Sequence, residues 1–308
     1  MIRIILYSII FFYFTIANAW ADSQSNPTEK NATQLSNTET NQQAVVQEKT
    51  PAEFSDPFTG MQFVLVPGGC FSMGNFLAST NSSSKTSFKI FWYLQMGGQY
   101  AAGEPDELPV HEVCLDNFYI GKFEVTQKEY QKIIGNNPAV FKGEANPVEQ
   151  VSWYDTQKFL QKLNQQSGLN FRLPTEAEWE FAARSGGKNE KFSGSNTIDD
   201  VAWWDKKRER GTRPVGMKQA NGLGLYDMSG NVWEWCQDWY SKEYYALGVK
   251  NNPTGPDSGT QKVFRGGAWN TYPRLARTAK RRHYLPSVRG NMLGFRLVLP
   301  AIHGQITQ

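Results

Sequence analysis

Cysteine and histidine are scarce, with three of each among 308 residues. The histidines are His111, His283 and His303, so a two-histidine, one-carboxylate iron site would need two of these distant positions to converge with an acid. Acidic residues run out before the chain does: no Asp or Glu follows Asp257. Residues 258–308 therefore hold neither a side-chain carboxylate nor a thiol, and nothing in them identifies an acid–base pair or a nucleophile. Internal repeats and a second linker are also lacking, which argues for one domain. The net charge of +3 is too small to point to nucleic acid.

What the chain has is aromatic bulk. Its 10 Trp, 13 Tyr and 19 Phe make 14% of the residues, which excludes disorder as a description of the whole. The 27 Gly and 15 Pro would interrupt helices repeatedly, which argues against a helical bundle. An aromatic-rich, helix-poor globule remains.

The first 21 residues read as a secretory signal peptide. Met1-Ile2-Arg3 supplies a positive start, Ile4–Ile16 is almost wholly apolar, and Ala17-Asn18-Ala19 and Ala19-Trp20-Ala21 offer small-x-small cleavage sites. The apolar run falls short of the ~20 residues needed to span a bilayer, so the mature chain is expected not to cross a membrane. No Cys follows the run, which argues against a lipid anchor. Residues 22–55 are rich in Ser, Asn, Gln and Thr and read as a disordered polar linker. Residues 56–302 read as the globular domain and 303–308 as a tail. Export to a periplasmic or extracellular space permits disulfides. Cys70 and Cys114 lie in apparent strands, Phe63–Phe71 and His111–Ile120, and would pair if those strands are neighbours, closing a loop that contains the polar run Ser79–Ser87. Cys236, in Trp233-Glu234-Trp235-Cys236, reads as a buried free thiol.

Three helices announce themselves by their caps: a capping box at Thr126–Glu129, and starts at Ser152–Asp155 and Thr175–Glu178. The first stops before Gly135, the second places Phe159, Leu160 and Leu163 on one face before Gly168, and the third spaces Trp179, Ala182 and Ala183 helically before Gly186. The remainder reads as short strands and long ordered turns, whose backbone groups must find side-chain partners.

Between Phe58 and Pro300 an ordered set of motifs appears: Pro67-Gly68-Gly69-Cys70-Phe71-Ser72-Met73-Gly74, Pro109-Val110-His111-Glu112-Val113, Glu124-Val125-Thr126, Pro147–Trp153, Arg172–Glu180, Gly224–Trp235, Arg265-Gly266-Gly267-Ala268-Trp269 and Gly294-Phe295-Arg296. In this set the chain resembles the formylglycine-generating enzyme, or sulfatase-modifying factor, family. The resemblance implies an α+β domain of low regular secondary structure, related to C-type-lectin-like folds. The family's enzyme oxidises a sulfatase cysteine to formylglycine with two copper-binding cysteines in the stretch after the Gly-Gly motif. Here that stretch, Ala268–Arg277, has no Cys, and Ala268 stands where the family has an active-site Ser. Cu(I) wants soft thiolates, so copper is not expected. The resemblance also places a calcium site on the carboxylates of Asp227 and Glu234 with the carbonyls of Gly230 and Val232; hard oxygen donors suit calcium. The other reading of these carboxylates is that they only hydrogen-bond a turn.

The acid-free end carries nine cations: Lys262, Arg265, Arg274, Arg277, Lys280, Arg281, Arg282, Arg289 and Arg296. Arg265, Arg277 and Arg296 read as internal props. Trp269, Asn270, Tyr272, Arg274, Lys280, Arg281, Arg282, Tyr284 and Arg289 read as a surface beside the emptied cleft, open to a protein, peptide or anionic ligand. The expectation is a non-catalytic binding or accessory protein, with a divergent periplasmic oxidoreductase or maturation enzyme as the alternative.

Overall fold

The computed structural model describes residues 52–75, 103–206 and 210–301. The signal peptide, nearly all of the linker, the Ser79–Ser87 run, the tail and His303 lie outside the described residues. The linker expectation fails at its end: Glu53–Ser55 form a strand, β1, whose residues pair with Gln62–Val64. Phe54 explains this, because its ring stacks on Phe63 at 5.0 Å and meets Tyr119 edge-on at 5.0 Å.

Each of the two strands expected around the cysteines is broken by a turn. Gln62–Val66 (β2) and Gly69–Met73 (β3) flank Pro67-Gly68, and His111–Leu115 (β4) and Phe118–Gly121 (β5) flank Asp116-Asn117. Asn117 Oδ1 ties the turns together by accepting from the Gly68 N–H at 2.7 Å. β2 and β5 lie in a four-stranded antiparallel sheet, ordered β1-β2-β5-β10, closed by Val298–Pro300 (β10). β3 and β4 form a separate ribbon in which Cys70 faces Cys114, and the two are disulfide-bonded across 44 residues of sequence.

The three capping boxes open helices α1 (Gln127–Ile134), α2 (Trp153–Ser167) and α3 (Glu176–Ala183). α1 and α2 end on Gly135 and Gly168 in the left-handed conformation that glycine enters without a Cβ penalty. All eight residues of α3 are buried, including Glu176, Glu178 and Glu180. A helix enclosed on every side must bring partners for its carboxylates. A third sheet, ordered β8-β7-β6-β9, holds Trp233–Trp239 (β6), Lys262–Arg265 (β7), Arg282–Tyr284 (β8) and Leu293–Gly294 (β9), with β6 and β9 parallel.

The tryptophans staple these layers with both ends of the side chain. Trp235 Nε1 donates to Val151 O at 3.0 Å, Trp153 Nε1 to Cys236 O at 3.0 Å, and Trp179 Nε1 to a carboxylate oxygen of Glu234 at 2.6 Å. Their rings fill the core while the indole N–H satisfies a buried acceptor. Among the described residues no helix is long and apolar enough to cross a membrane.

Candidate functional site

The Gly-Gly-Ala-Trp motif forms a turn that only glycine permits. Gly266 and Gly267 sit at φ 103° and 83°, and a Cβ on Gly267 would stand 2.9 Å from the Ala276 backbone. Thr271 closes the turn: its hydroxyl accepts from the Ala268 N–H at 3.0 Å and donates to Ala268 O at 2.9 Å. Ala268 is fully buried. Trp269, half-buried, donates its indole N–H to Asn291 O at 3.0 Å and meets Phe141 edge-on at 5.2 Å.

The loop leading into β6 packs against this turn. The Trp269 N–H donates to Asn231 O at 2.8 Å, and the Gly230 N–H to Gly266 O at 2.9 Å. Gly230, at φ 89°, passes so close to Trp203 that a Cβ would fall 2.3 Å from its carbonyl oxygen. Asn231 Nδ2 donates to Glu124 at 2.7 Å, and the Val232 N–H to the other Glu124 oxygen at 3.1 Å. The motifs at 124–126, 224–235 and 265–269, separate in sequence, are thus one hydrogen-bonded unit.

Within that unit the four residues expected around calcium take unequal roles. Both carboxylate oxygens of Glu234 are engaged: Arg296 donates to them at 2.6 and 2.7 Å, and Trp179 at 2.6 Å. Asp227 accepts from the Gly216 N–H at 2.7 Å through Oδ2, while its buried Oδ1 has no partner. Burial pushes the Asp227 carboxyl up to about 6. Glu124 is also raised well above the usual carboxylate range, first by burial and then by Asp227 and Glu234. Three buried carboxylates, Glu124, Asp227 and Glu234, act on the buried Arg296, with Lys218 adding to the field on Asp227, and among the described residues Asp227 Oδ1 has no hydrogen-bond partner. Those features fit a hard cation; the engagement of Glu234 competes with one. Among the described residues no three His, Cys, Asp or Glu side chains form a metal-holding group.

The basic end of the chain divides sharply. Arg265, Arg277 and Arg296 are internal props, as their type suggested. Arg265 pairs with Glu176 at 2.9 Å and with Glu180, Arg277 grips both oxygens of Glu107 at 2.8 and 2.6 Å, and Arg296 holds Glu234. Arg281 and Lys280, assigned to the ligand surface, join them instead. Arg281 is buried against Glu176 at 2.7 and 2.8 Å and donates to Asp106 O at 2.8 Å, and Lys280 is buried beside Glu104 at 2.6 Å. The physical reason is that other segments supply the acids this end of the chain lacks: Glu176 of α3 for Arg281, and Glu104 of the acidic turn Glu104–Glu107 for Lys280. Asn270, Tyr272, Arg282 and Tyr284 are exposed, and the half-buried Arg274 lies 6.0 Å from the Tyr272 ring. Arg289, also exposed, is engaged by Asp155 at the start of α2 at 2.7 and 3.0 Å.

Cys236 is fully buried, and burial pushes its thiol well above the ordinary range, so little thiolate forms at neutral pH. His111 hydrogen-bonds Pro109 O at 3.1 Å and packs on Tyr245, while His283 stacks on Tyr240 at 3.5 Å and contacts Gln261.

The chain is 33% identical over 245 residues to Chaperone protein LppX of Paenibacillus barcinonensis, covering 63% of this chain and 83% of that protein. It is 34% identical over 168 residues to the formylglycine-generating enzyme of Streptomyces coelicolor, covering 49% of this chain and 52% of the enzyme. A serine/threonine-protein kinase pkn1 of Chlamydia caviae is 31% identical over 222 residues, which are 63% of this chain but only 35% of the kinase. Among solved structures, Treponema denticola variable protein 1 superposes with a TM-score of 0.67 at 28% identity, covering 82% of this chain and all of that one. PvdO from Pseudomonas aeruginosa gives 0.64 at 25% identity, over 82% of this chain and 99% of that one. The sulfatase-modifying factor enzyme 1-like domain model matches residues 49–301, and the chain belongs to that family.

Proposed function

We propose that this protein is an exported, non-catalytic binding or accessory member of its family. The observation that carries the reading is the fate of its thiols. The chain has three cysteines: Cys70 and Cys114 are tied to each other, and Cys236 is buried and held protonated. No pair of thiolates remains to bind copper, and Ala268 is a methyl group in a closed turn. The resemblance to a protein named as a chaperone supports an accessory role. The lead peptide and the disulfide, which suits an oxidising compartment, support export. The binding face is the exposed strip of Asn270, Tyr272, Arg282 and Tyr284, with the half-buried Arg274 beside it, offered to a protein, peptide or anionic ligand.

Cu(I) titration of the purified chain tests the chemistry. The expected result is weak binding that Cys236→Ser leaves unchanged; tight stoichiometric binding abolished by Cys236→Ser would overturn it.

We also propose that calcium binds beside Asp227, with Asp227, the carbonyls of Gly230 and Val232, and Glu234 in competition with Arg296 as donors. Its role is to hold the 227–234 loop against the Gly-Gly turn. Added calcium is expected to raise the thermal midpoint, and Asp227→Ala to abolish that rise. A midpoint indifferent to calcium and to chelator would remove calcium from the account.

A further inference from the structure

A second cleft is lined by none of the residues of the exposed strip Asn270–Tyr284. It encloses about 340 Å³ where the β4–β5 turn, the segment before α3, the end of β6, the 252–254 loop and Pro300 converge. That volume falls within the roughly 300–1,000 Å³ of small-molecule sites.

The walls are braced by hydrogen bonds that do not exhaust them. Asn252, held at φ 44°, accepts from the Asp116 N–H at 2.9 Å and donates to Asp116 Oδ2 at 3.0 Å. Asn117 spends its Oδ1 on the Gly68 N–H. Arg172 and Glu178 are locked in a bidentate pair, with both distances 2.6 Å. Among the described residues, Asn117 Nδ2, the Gln237 carboxamide and the Thr254 hydroxyl have no protein partner, and all three residues line the space.

The remaining chemistry selects a ligand class. The charge of Arg172 is spent on Glu178, so the cleft has no free cation for a phosphate or carboxylate, and Asp116 would repel one. Apolar surface predominates in the lining with polar groups set among it, a mixture that matches the C–H faces and hydroxyls of a sugar. Two carboxamides and a hydroxyl offer donors and acceptors side by side, which a chain of hydroxyl groups can match. Leu115 and Phe118 supply an apolar floor for C–H faces. We infer that this cleft binds a neutral polyhydroxylated ligand, a short saccharide, through Asn117, Gln237 and Thr254. The inference is independent of the binding strip and of the fate of the thiols.

Saturation-transfer NMR and calorimetry on the purified full chain test it, with glucose, N-acetylglucosamine and chitobiose as probes and inorganic phosphate and triglycine as contrasts. At least one saccharide is expected to bind, and Gln237→Ala and Thr254→Val each to weaken it about tenfold, the worth of one hydrogen bond lost. Neither variant should shift the thermal midpoint appreciably, since neither side chain holds another part of the fold. Absence of binding by all three sugars would overturn the inference. So would binding that both variants leave unchanged, or preferential binding of phosphate or triglycine.

Discussion

The inner and outer cations of the acid-free end share a composition but not a function. Arg265, Arg277, Lys280, Arg281 and Arg296 point inward, and each meets a carboxylate delivered from elsewhere: Glu176 and Glu180 from α3, Glu104 and Glu107 from the acidic turn, Glu234 from β6. Arg282 and Arg289, a few residues away, point outward, and Arg289 meets only a half-exposed ion pair with Asp155. A run of one charge in sequence is therefore not a patch of that charge in space. What separates the sets is burial: the inner cations meet their acids inside the fold, whereas Arg289 meets Asp155 at the surface, and long-range partners are what this fold uses in place of extended backbone ladders.

The largest expected effect breaks the inner set at its hub. Glu176→Ala would leave the buried Arg281 without a carboxylate and Arg265 with Glu180 alone, and is expected to cost about 3–5 kcal/mol in urea unfolding. Reduction of Cys70–Cys114 comes next, at about 2–4 kcal/mol for a link of this span, read as a lower thermal midpoint in reductant.

A pH titration then sharpens the contrast. Burial pushes the Glu176 carboxyl up, but Arg281 and Arg265 outweigh burial and hold it below its ordinary 4.5. Its contribution is thus fully present above about 4.5 and is lost as pH falls through the lower native value. Stability against urea should fall on acidification in that window, and Glu176→Gln should remove this component of the slope. The smallest effect belongs to the outer set: Tyr272→Ala and Arg282→Ala should each change unfolding free energy by less than about 0.5 kcal/mol. A cost near that of Glu176→Ala would erase the distinction between the two sets.

Local signals in the sequence translated well into structure. Thr126, Ser152 and Thr175 cap helices because a capping box is written within four residues, and Gly135 and Gly168 end two of them for the same local reason. Arg265, Arg277 and Arg296 were legible as props because a guanidinium suits buried pairing with carbonyls and carboxylates. Arg281 and Lys280 were not, because their acids, Glu176 and Glu104, lie more than 100 residues earlier in the chain and pairing at that distance leaves no periodicity to read. The acidic cluster Glu104, Asp106 and Glu107 was the available signal, an excess opposite in sign to the acid-free end. The second cleft was equally hidden, since five segments with no shared motif meet there. Phe54 shows the boundary error in small: one aromatic residue at the edge of a polar stretch is enough to carry a strand into the domain.

The account's central claim is that this family domain has left thiol oxidation behind and kept the scaffold. The most direct measurement incubates the purified chain with copper, oxygen, a reductant and a cysteine-containing sulfatase-type peptide, and follows the peptide by mass spectrometry. The account predicts a cysteine that stays a thiol or forms ordinary disulfides at the rate seen without protein. Catalytic conversion of that cysteine to the formylglycine aldehyde would contradict it.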